Sequence, residues 1–186
     1  MKNHLFSFLI ETSTQKVFDF LALNPGREFI EKEIQKGTGV SKPGVNLVLK
    51  NLVKAGIVFK SKKGRMHFYK VDFKSPLVKQ WKVLRNVILL MPLIKNLENE
   101  VQKIILFGSW DRGENTPDSD LDLFVLTNAS RESIEKILRK ISLEEKIQLI
   151  VRNPVSFSEM EKKEPIFFEE INRGLILFQK TDESRI

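Results

Sequence analysis

"LFGSWDRGENTPDSDLDLFVL", residues 106–126, sets two apolar runs on either side of a polar loop. The first run is the tail of "VQKIILFG", which reads as a strand stopped by Gly108. Ser109 is placed to open a helix, whose first N–H groups would face back at the Gly-Ser turn and favour an anion there. "DRGENTPDSD" is a polar loop, and "DLDLFVLT" is a second strand. Asp120 and Asp122 lie two residues apart, so both carboxylates project from one face while Leu121 and Leu123 point to the other. Like charges held this close repel unless a cation or a donor joins them. Donor side chains nearby are few, so a divalent ion held by carboxylates is the economical partner. Two carboxylates for Mg²⁺ beside a turn for a phosphate suit phosphoryl or nucleotidyl transfer, in which positioning and charge neutralisation carry the chemistry.

Five residue types recur in register here. "GSWDRG" followed by "SDLDLFV" resembles the signature of the minimal nucleotidyltransferases, within the DNA polymerase beta superfamily, over residues 106–125. Downstream, "SRESIEKILRKIS" reads as a helix, "EKIQLIVRN" as a strand, "SFSEMEKKEPIFFEEINRG" as one or two helices and "GLILFQ" as a last short strand. Ser156 and Glu159 have the spacing of a capping box. The resemblance extends, less specifically, over about residues 95–180. It implies that Gly108 and Ser109 bind the triphosphate of ATP or another NTP, and that Asp120 and Asp122 coordinate Mg²⁺ or Mn²⁺ as the catalytic pair. It implies for Arg112 and Gly113 a part in loop shaping or phosphate contact, and for Ser119 a place beside the nucleotide where it fixes the turn.

One departure stands out. Members of the family generally carry a third carboxylate on the strand beside the aspartate pair. That strand should be "KIQLIV", where the polar candidate is Gln148. A neutral amide is neither a general base nor a good third ligand. Glu144 or Glu145, just before the strand, could substitute only with a shifted register. Three functions therefore stay open: an enzyme transferring a nucleotidyl group, AMP from ATP in the first instance, to a protein or nucleic-acid hydroxyl; a non-enzymatic DNA-binding regulator whose nucleotidyltransferase fold only binds nucleotide or a partner; and an interaction scaffold that binds neither nucleotide nor nucleic acid. Small members of the family often resemble antitoxins that silence a HEPN-type ribonuclease, which implies a possible HEPN-type protein partner.

Residues 1–75 have a different character. They carry 14 Lys and Arg against 6 Asp and Glu, so the whole +7 excess of the 186-residue chain sits in them. "STQKVFDFLALNPG" reads as a helix stopped by Pro25-Gly26, and "EFIEKEIQKGTG" as a short one ended by Gly37 and Gly39. "SKPGVNLVLKNLVKAGI" is a third, with Ser41 as N-cap, Pro43 in the first turn and an apolar stripe at Val45, Val48, Leu49, Leu52 and Val53. "IVFKSKKGRMHFYKVDF" reads as a hairpin. This order resembles a winged helix-turn-helix over residues 12–73. Lys42, Lys50, Lys54, Lys60, Lys62, Lys63, Arg65 and Lys70 fall on the third helix or the wing, where phosphate contacts to nucleic acid would need them. Asn46 is the one amide there with the chemistry to pair adenine.

The expected architecture is α+β. A winged helix-turn-helix (1–75) and a connecting helix (76–94) precede a small α/β nucleotidyltransferase domain (95–186) with a mixed sheet flanked by helices. In the connector, Leu77, Trp81, Leu84 and Ile88 make an apolar face that ends near Pro92 and packs the modules or seams a homodimer. Cysteine is absent and the histidines are His4 and His67, which excludes disulfides, thiolate chemistry and histidine-rich metal sites. "LFSFLI" is too short for a signal-peptide core, and "VILLMPLI" is far below the roughly 18 residues of a membrane span. A cytoplasmic protein without membrane contact is the expectation.

Overall fold

The helices begin where a side chain can satisfy the first free N–H groups. Thr12 caps α1 (Ser13–Ala22), and its partner Gln15 returns a bond to the Thr12 N–H, a complete capping box. Glu33 accepts the Ile30 N–H at 2.9 Å ahead of α2 (Glu31–Thr38). Ser41 caps α3 (Lys42–Lys54), with Pro43 in its first turn. An antiparallel hairpin follows, β1 (Phe59–Lys63) and β2 (Met66–Lys70), with Lys63 paired to Met66 across the turn. The structure, a computed structural model, describes residues 10–141, 143 and 145–180; His4, residues 5–9 of the apolar N-terminal run and Glu144 lie outside them. The chain divides between Leu84 and Arg85 into two compact units.

In the first unit, Val17, Leu21, Ile34, Val45 and Leu49 are almost wholly buried in one core with Tyr69 and Val71 of the hairpin side. Val53, expected in the α3 stripe, is only partly buried. Gly37 does not end α2 but lies inside it. A Cβ there would come within 2.2 Å of the Phe20 ring, so the glycine serves close packing, and Gly39 makes the left-handed cap. The Trp81 indole N–H donates to Asp19 at 2.9 Å, and its ring meets Phe18 edge-on.

Tyr69 tests this core. It is buried, and its hydroxyl donates to Glu31 at 2.9 Å. Burial, then the bond to Glu31 and its charge, push the phenol up to about 12. As the protein's single tyrosine, it can be followed by absorbance at 295 nm without ambiguity. The folded protein should titrate near pH 12 and the unfolded chain near the ordinary value of about 10. Between those values the folded state holds the proton that the unfolded state has lost. The stabilisation is therefore whole below pH 10 and disappears as pH rises through 12. A folded-state midpoint near 10 would contradict the buried bond.

The connecting helix differs from expectation in two ways. α4 (Pro76–Leu97) passes through Pro92 instead of ending there. Proline removes one N–H from the ladder, but Leu93 and Leu97 beyond it are fully buried and hold the last turn. Its buried positions are Val78, Lys82, Asn86, Leu90, Leu93 and Leu97, whereas Leu77 and Leu84 of the expected stripe are exposed. No helix among the described residues is long and apolar enough to cross a membrane.

The second unit is built on four strands, β3 (Lys103–Phe107), β4 (Leu121–Leu126), β5 (Ile147–Arg152) and β6 (Leu175–Gln179), in the order β5-β4-β3-β6. β4 runs parallel to β5 and antiparallel to β3, and β6 runs antiparallel to β3, so the sheet is mixed as expected. The period of two sorts each strand between two cores. Leu121, Leu123 and Val125 pack with the end of α4 and with Ile134 and Leu138 of α5 (Arg131–Leu138). Phe124 and Ile105 pack on the other face with Met160 of α6 (Pro154–Lys163) and Ile171 of α7 (Pro165–Arg173). Pro165 separates α6 from α7, which settles the "one or two helices". Ser156 is not the cap expected there. Asn153 takes that place, accepting the Ser156 N–H at 2.8 Å, because Pro154 is pre-set for the first helical position.

Candidate functional site

The sheet brings the motif together at one end. Asp122 lies second in β4, with Phe107 of β3 and Gln148 of β5 as its lateral neighbours. Alternation puts Asp122, Phe124 and Ile150 on the α6–α7 face, and Gln148 shares their parity. Asp120, just before the strand, adds its charge to the same corner. Gln148 therefore stands beside Asp122, at the position expected to carry a third acid.

Gly108 turns the chain directly over this pair. Its φ of +77° lies in the left-handed region, and a Cβ on it would sit 2.2 Å from the Asp122 Oδ2. No side chain fits between this backbone and the carboxylate. The helix expected from Ser109 does not form. Residues 108–113 make consecutive turns, in which the Ser109 carbonyl accepts from the N–H groups of Glu114 (2.8 Å) and Asn115 (3.1 Å), and Gly113 has φ +65°. Those bonds close the loop on itself within a few residues, leaving no room for an i to i−4 ladder. Trp110 anchors it from below. The ring is buried, and its carbonyl accepts from Asn86 Nδ2 at 2.8 Å.

The remaining motif residues hold the loop. The Ser119 hydroxyl accepts the Thr116 N–H at 2.9 Å, and the Ser119 N–H returns a bond to the Thr116 carbonyl. Arg112 is half exposed, donates to Glu114 at 3.2 Å and lies 3.7 Å from Asp111. Its charge also reaches Asp122. The Asp122 carboxyl is held above its ordinary range by burial first, then by the charges of Asp120 and Glu170, with Arg112 acting the other way. Burial likewise raises Asp111 against the pull of Arg112. Lys146, immediately before β5, bridges to Asp120 at 3.1 Å. The Asp120 charge thus bears on Asp122, and an exposed lysine offsets part of it.

The fit to a divalent ion rests on these donors. Mg²⁺ commonly takes one or two carboxylates and completes its shell with water and phosphate oxygens, and Asp120 with Asp122 supply that number. Among the described residues no group of three or more His, Cys, Asp or Glu stands ready to hold a metal. Glu145 is not beside Asp122, because the parallel register gives that place to Gln148.

In the first unit, Lys42, Asn46, Lys50 and Lys54 recur at every fourth position along the exposed side of α3, and Lys60, Lys62, Lys63 and Arg65 are exposed on the hairpin. Three acids, unnoticed in the sequence, modify this face. Glu28 pairs with Lys63 and lies 3.9 Å from Lys70. Glu31 accepts from Asn46 Nδ2 at 3.4 Å as well as from Tyr69, so the amide is already engaged. Glu33 lies 4.0 Å from Arg27.

The family model described as "Polymerase beta, Nucleotidyltransferase" matches residues 90–183 of the 186. The chain is similar, at 18% identity and a TM-score of 0.37, to the crystal structure of Rv0081 from M. tuberculosis, over 52% of this chain and 92% of that one. It is similar, at 13% identity and a TM-score of 0.33, to TrmBL2, an archaeal chromatin protein with a novel mode of DNA binding, over 90% of this chain and 76% of that one. A comparison with curated protein sequences yields no match.

Proposed function

We propose, because the chain belongs to the polymerase beta nucleotidyltransferase family, that it is a nucleotidyltransferase using ATP or another NTP with Mg²⁺ or Mn²⁺. The observation that carries this reading is Gly108 seated over Asp122 with Asp120 beside it. In the reaction, an acceptor hydroxyl oxygen bonds to the α-phosphorus while the bond to the bridging oxygen breaks. Pyrophosphate leaves, and the hydroxyl proton is released to solvent. A bound Mg²⁺ would neutralise the phosphate charge and polarise the α-phosphate. Asp120 and Asp122 would hold it, Asp120 exchanging Lys146 for the cation. Ser109 and the turn backbone would receive the distal phosphates, and Arg112, free to swing from its exposed pairing with Glu114, would counter the charge on pyrophosphate. Ser119 holds the loop that presents the pair. The acceptor in this reading is a protein or nucleic-acid hydroxyl.

The test is incubation with ATP labelled at the α-phosphate and Mg²⁺ or Mn²⁺, with cell extract supplying acceptors. Wild type should transfer label, and Asp120→Asn/Asp122→Asn should lose it by at least about a hundredfold, since both charges at the transferring phosphoryl group go at once. Equal labelling by both proteins would sink the assignment.

Gln148 beside Asp122 favours a second reading, in which the site binds nucleotide without efficient transfer and the chain regulates through its basic first unit. That unit would be a winged helix with α3 in the major groove of DNA and the hairpin along the backbone. Lys62 and Arg65 would contact phosphates, while Lys63, neutralised by Glu28, would contribute less. Lys62→Ala/Arg65→Ala should then lower the slope of log Kobs against log[salt] by about two, measured by fluorescence anisotropy on duplex DNA. An unchanged slope removes the hairpin from the interface. In either reading a HEPN-type protein or a second copy of the chain is a candidate partner.

A further inference from the structure

The corner that holds Asp120 and Asp122 has a third acid that does not come from the strand. α7 lies against β3. The Phe167 ring meets the ring of Phe107 at 6.0 Å, Ile171 is buried in the same core, and a Cβ on Gly174 would touch the Leu106 carbonyl at 2.6 Å. Phe107 is the lateral neighbour of Asp122. Glu170, one turn on from Phe167 and adjacent to Ile171, is exposed on the part of α7 that packs beside Phe107, the strand neighbour of Asp122.

We propose that Glu170 supplies, from α7, the third negative charge at the cation site that Gln148 does not supply from β5. This rests on the nucleotidyltransferase reading of the same corner. Glu170 is a positioning residue. Among the described residues no three carboxylates stand together at ligand spacing, so Glu170 acts through the field it adds, or through water on the ion, and not as a direct ligand in this conformation. Gln148 and Glu170 approach Asp122 on the same face of the sheet, one from the neighbouring strand and one from the helix above. A negative charge at either place would serve, and an acid at both would add a further like charge to a pair that already repels. The glutamine on the strand and the glutamate on the helix are then two halves of one arrangement.

The experiment is a titration of the full chain with Mn²⁺ alone, following the free-ion signal by electron paramagnetic resonance. It needs neither acceptor nor turnover. Glu170→Gln should bind Mn²⁺ about threefold to tenfold more weakly than wild type, the effect of one charge on a divalent ion at roughly 6–10 Å in a water-like dielectric. The double variant Gln148→Glu/Glu170→Gln should recover wild-type affinity within about twofold, a rescue that a merely structural role for Glu170 would not produce. Both variants should melt with wild type, since both positions are exposed. Glu170→Gln binding as tightly as wild type, or a loss that Gln148→Glu does not restore, overturns the inference and leaves the transferase reading intact. Wild type binding no more Mn²⁺ than Asp120→Asn/Asp122→Asn overturns the reading of the site, and the inference with it.

Discussion

Gly108→Ala is expected to eliminate nucleotide transfer and to destabilise the second unit at the same time. The backbone at 108 has φ +77°, and for an L side chain that region costs roughly 1–2 kcal/mol. The new methyl would also stand 2.2 Å from the Asp122 Oδ2 and 3.1 Å from its Cγ. Something must move. Leu106 and Phe107 are locked in the sheet and its two cores, so the Asp122 carboxylate yields, at about 1–3 kcal/mol for forcing an extra carbon into a filled space. A displaced Asp122 would no longer stand with Asp120 where the proposed cation is to be held. Transfer of labelled AMP should fall at least as far as in Asp122→Asn, and thermal melting should show a loss of about 2–5 kcal/mol in total. A Gly108→Ala protein that melts and labels like wild type would show that Gly108 is not seated over the carboxylate.

Phe124→Ala is expected to cost about 3–5 kcal/mol of the second unit's stability. Phe124 is fully buried at the middle of the central strand, with its ring centroid 5.0 Å from that of Phe157. Phe157 in turn stacks at 5.1 Å on Phe168, so one ring supports the packing of both α6 and α7. Removing it leaves a cavity that the sheet cannot close, because β3 and β5 clamp the strand on both sides. The chain has two tryptophans, Trp81 in the first unit and Trp110 in the second. Denaturant unfolding followed in a Trp81→Phe background therefore reports the second unit through Trp110. A shift in midpoint equivalent to less than about 1 kcal/mol would mean that α6 does not depend on this ring. Since α7 carries Glu170, the same variant should loosen Mn²⁺ binding without touching any group at the site.

Much of the second unit was legible because its signals are local. A strand of alternating Asp and Leu sends the two sets to opposite faces whatever lies around it, and the Gly-Ser turn and Asp pair keep their spacing on any sheet. The helix at Arg131 and the strands at Ile147 and Leu175 follow from equally short patterns. The helix after Ser109 was misread because the N-cap signal is local but the helix needs a ladder. Glu114 and Asn115 spend their N–H groups on the Ser109 carbonyl, and the loop closes first. Pro92 misled in the opposite direction. An interior proline loses one N–H bond and crowds the carbonyl four residues back, at about 3 kcal/mol, and the buried Leu93 and Leu97 beyond it offset that cost.

The amino-acid sequence alone determined the motif, the sheet's elements, the concentration of positive charge in the first 75 residues and the identity of Gln148. It could not say what stands opposite these residues. Lys146 bridging Asp120, Glu28 pairing with Lys63, Glu31 engaging Asn46 and the charge of Glu170 reaching Asp122 join residues 15 to 48 positions apart. Side-chain periodicity is a property of one element, so it carries information over a few residues. Which charge meets which is decided only when separate elements pack, and the helix crossing that brings α7 over β3 is set by the shapes of Phe107, Phe167 and Ile171 together.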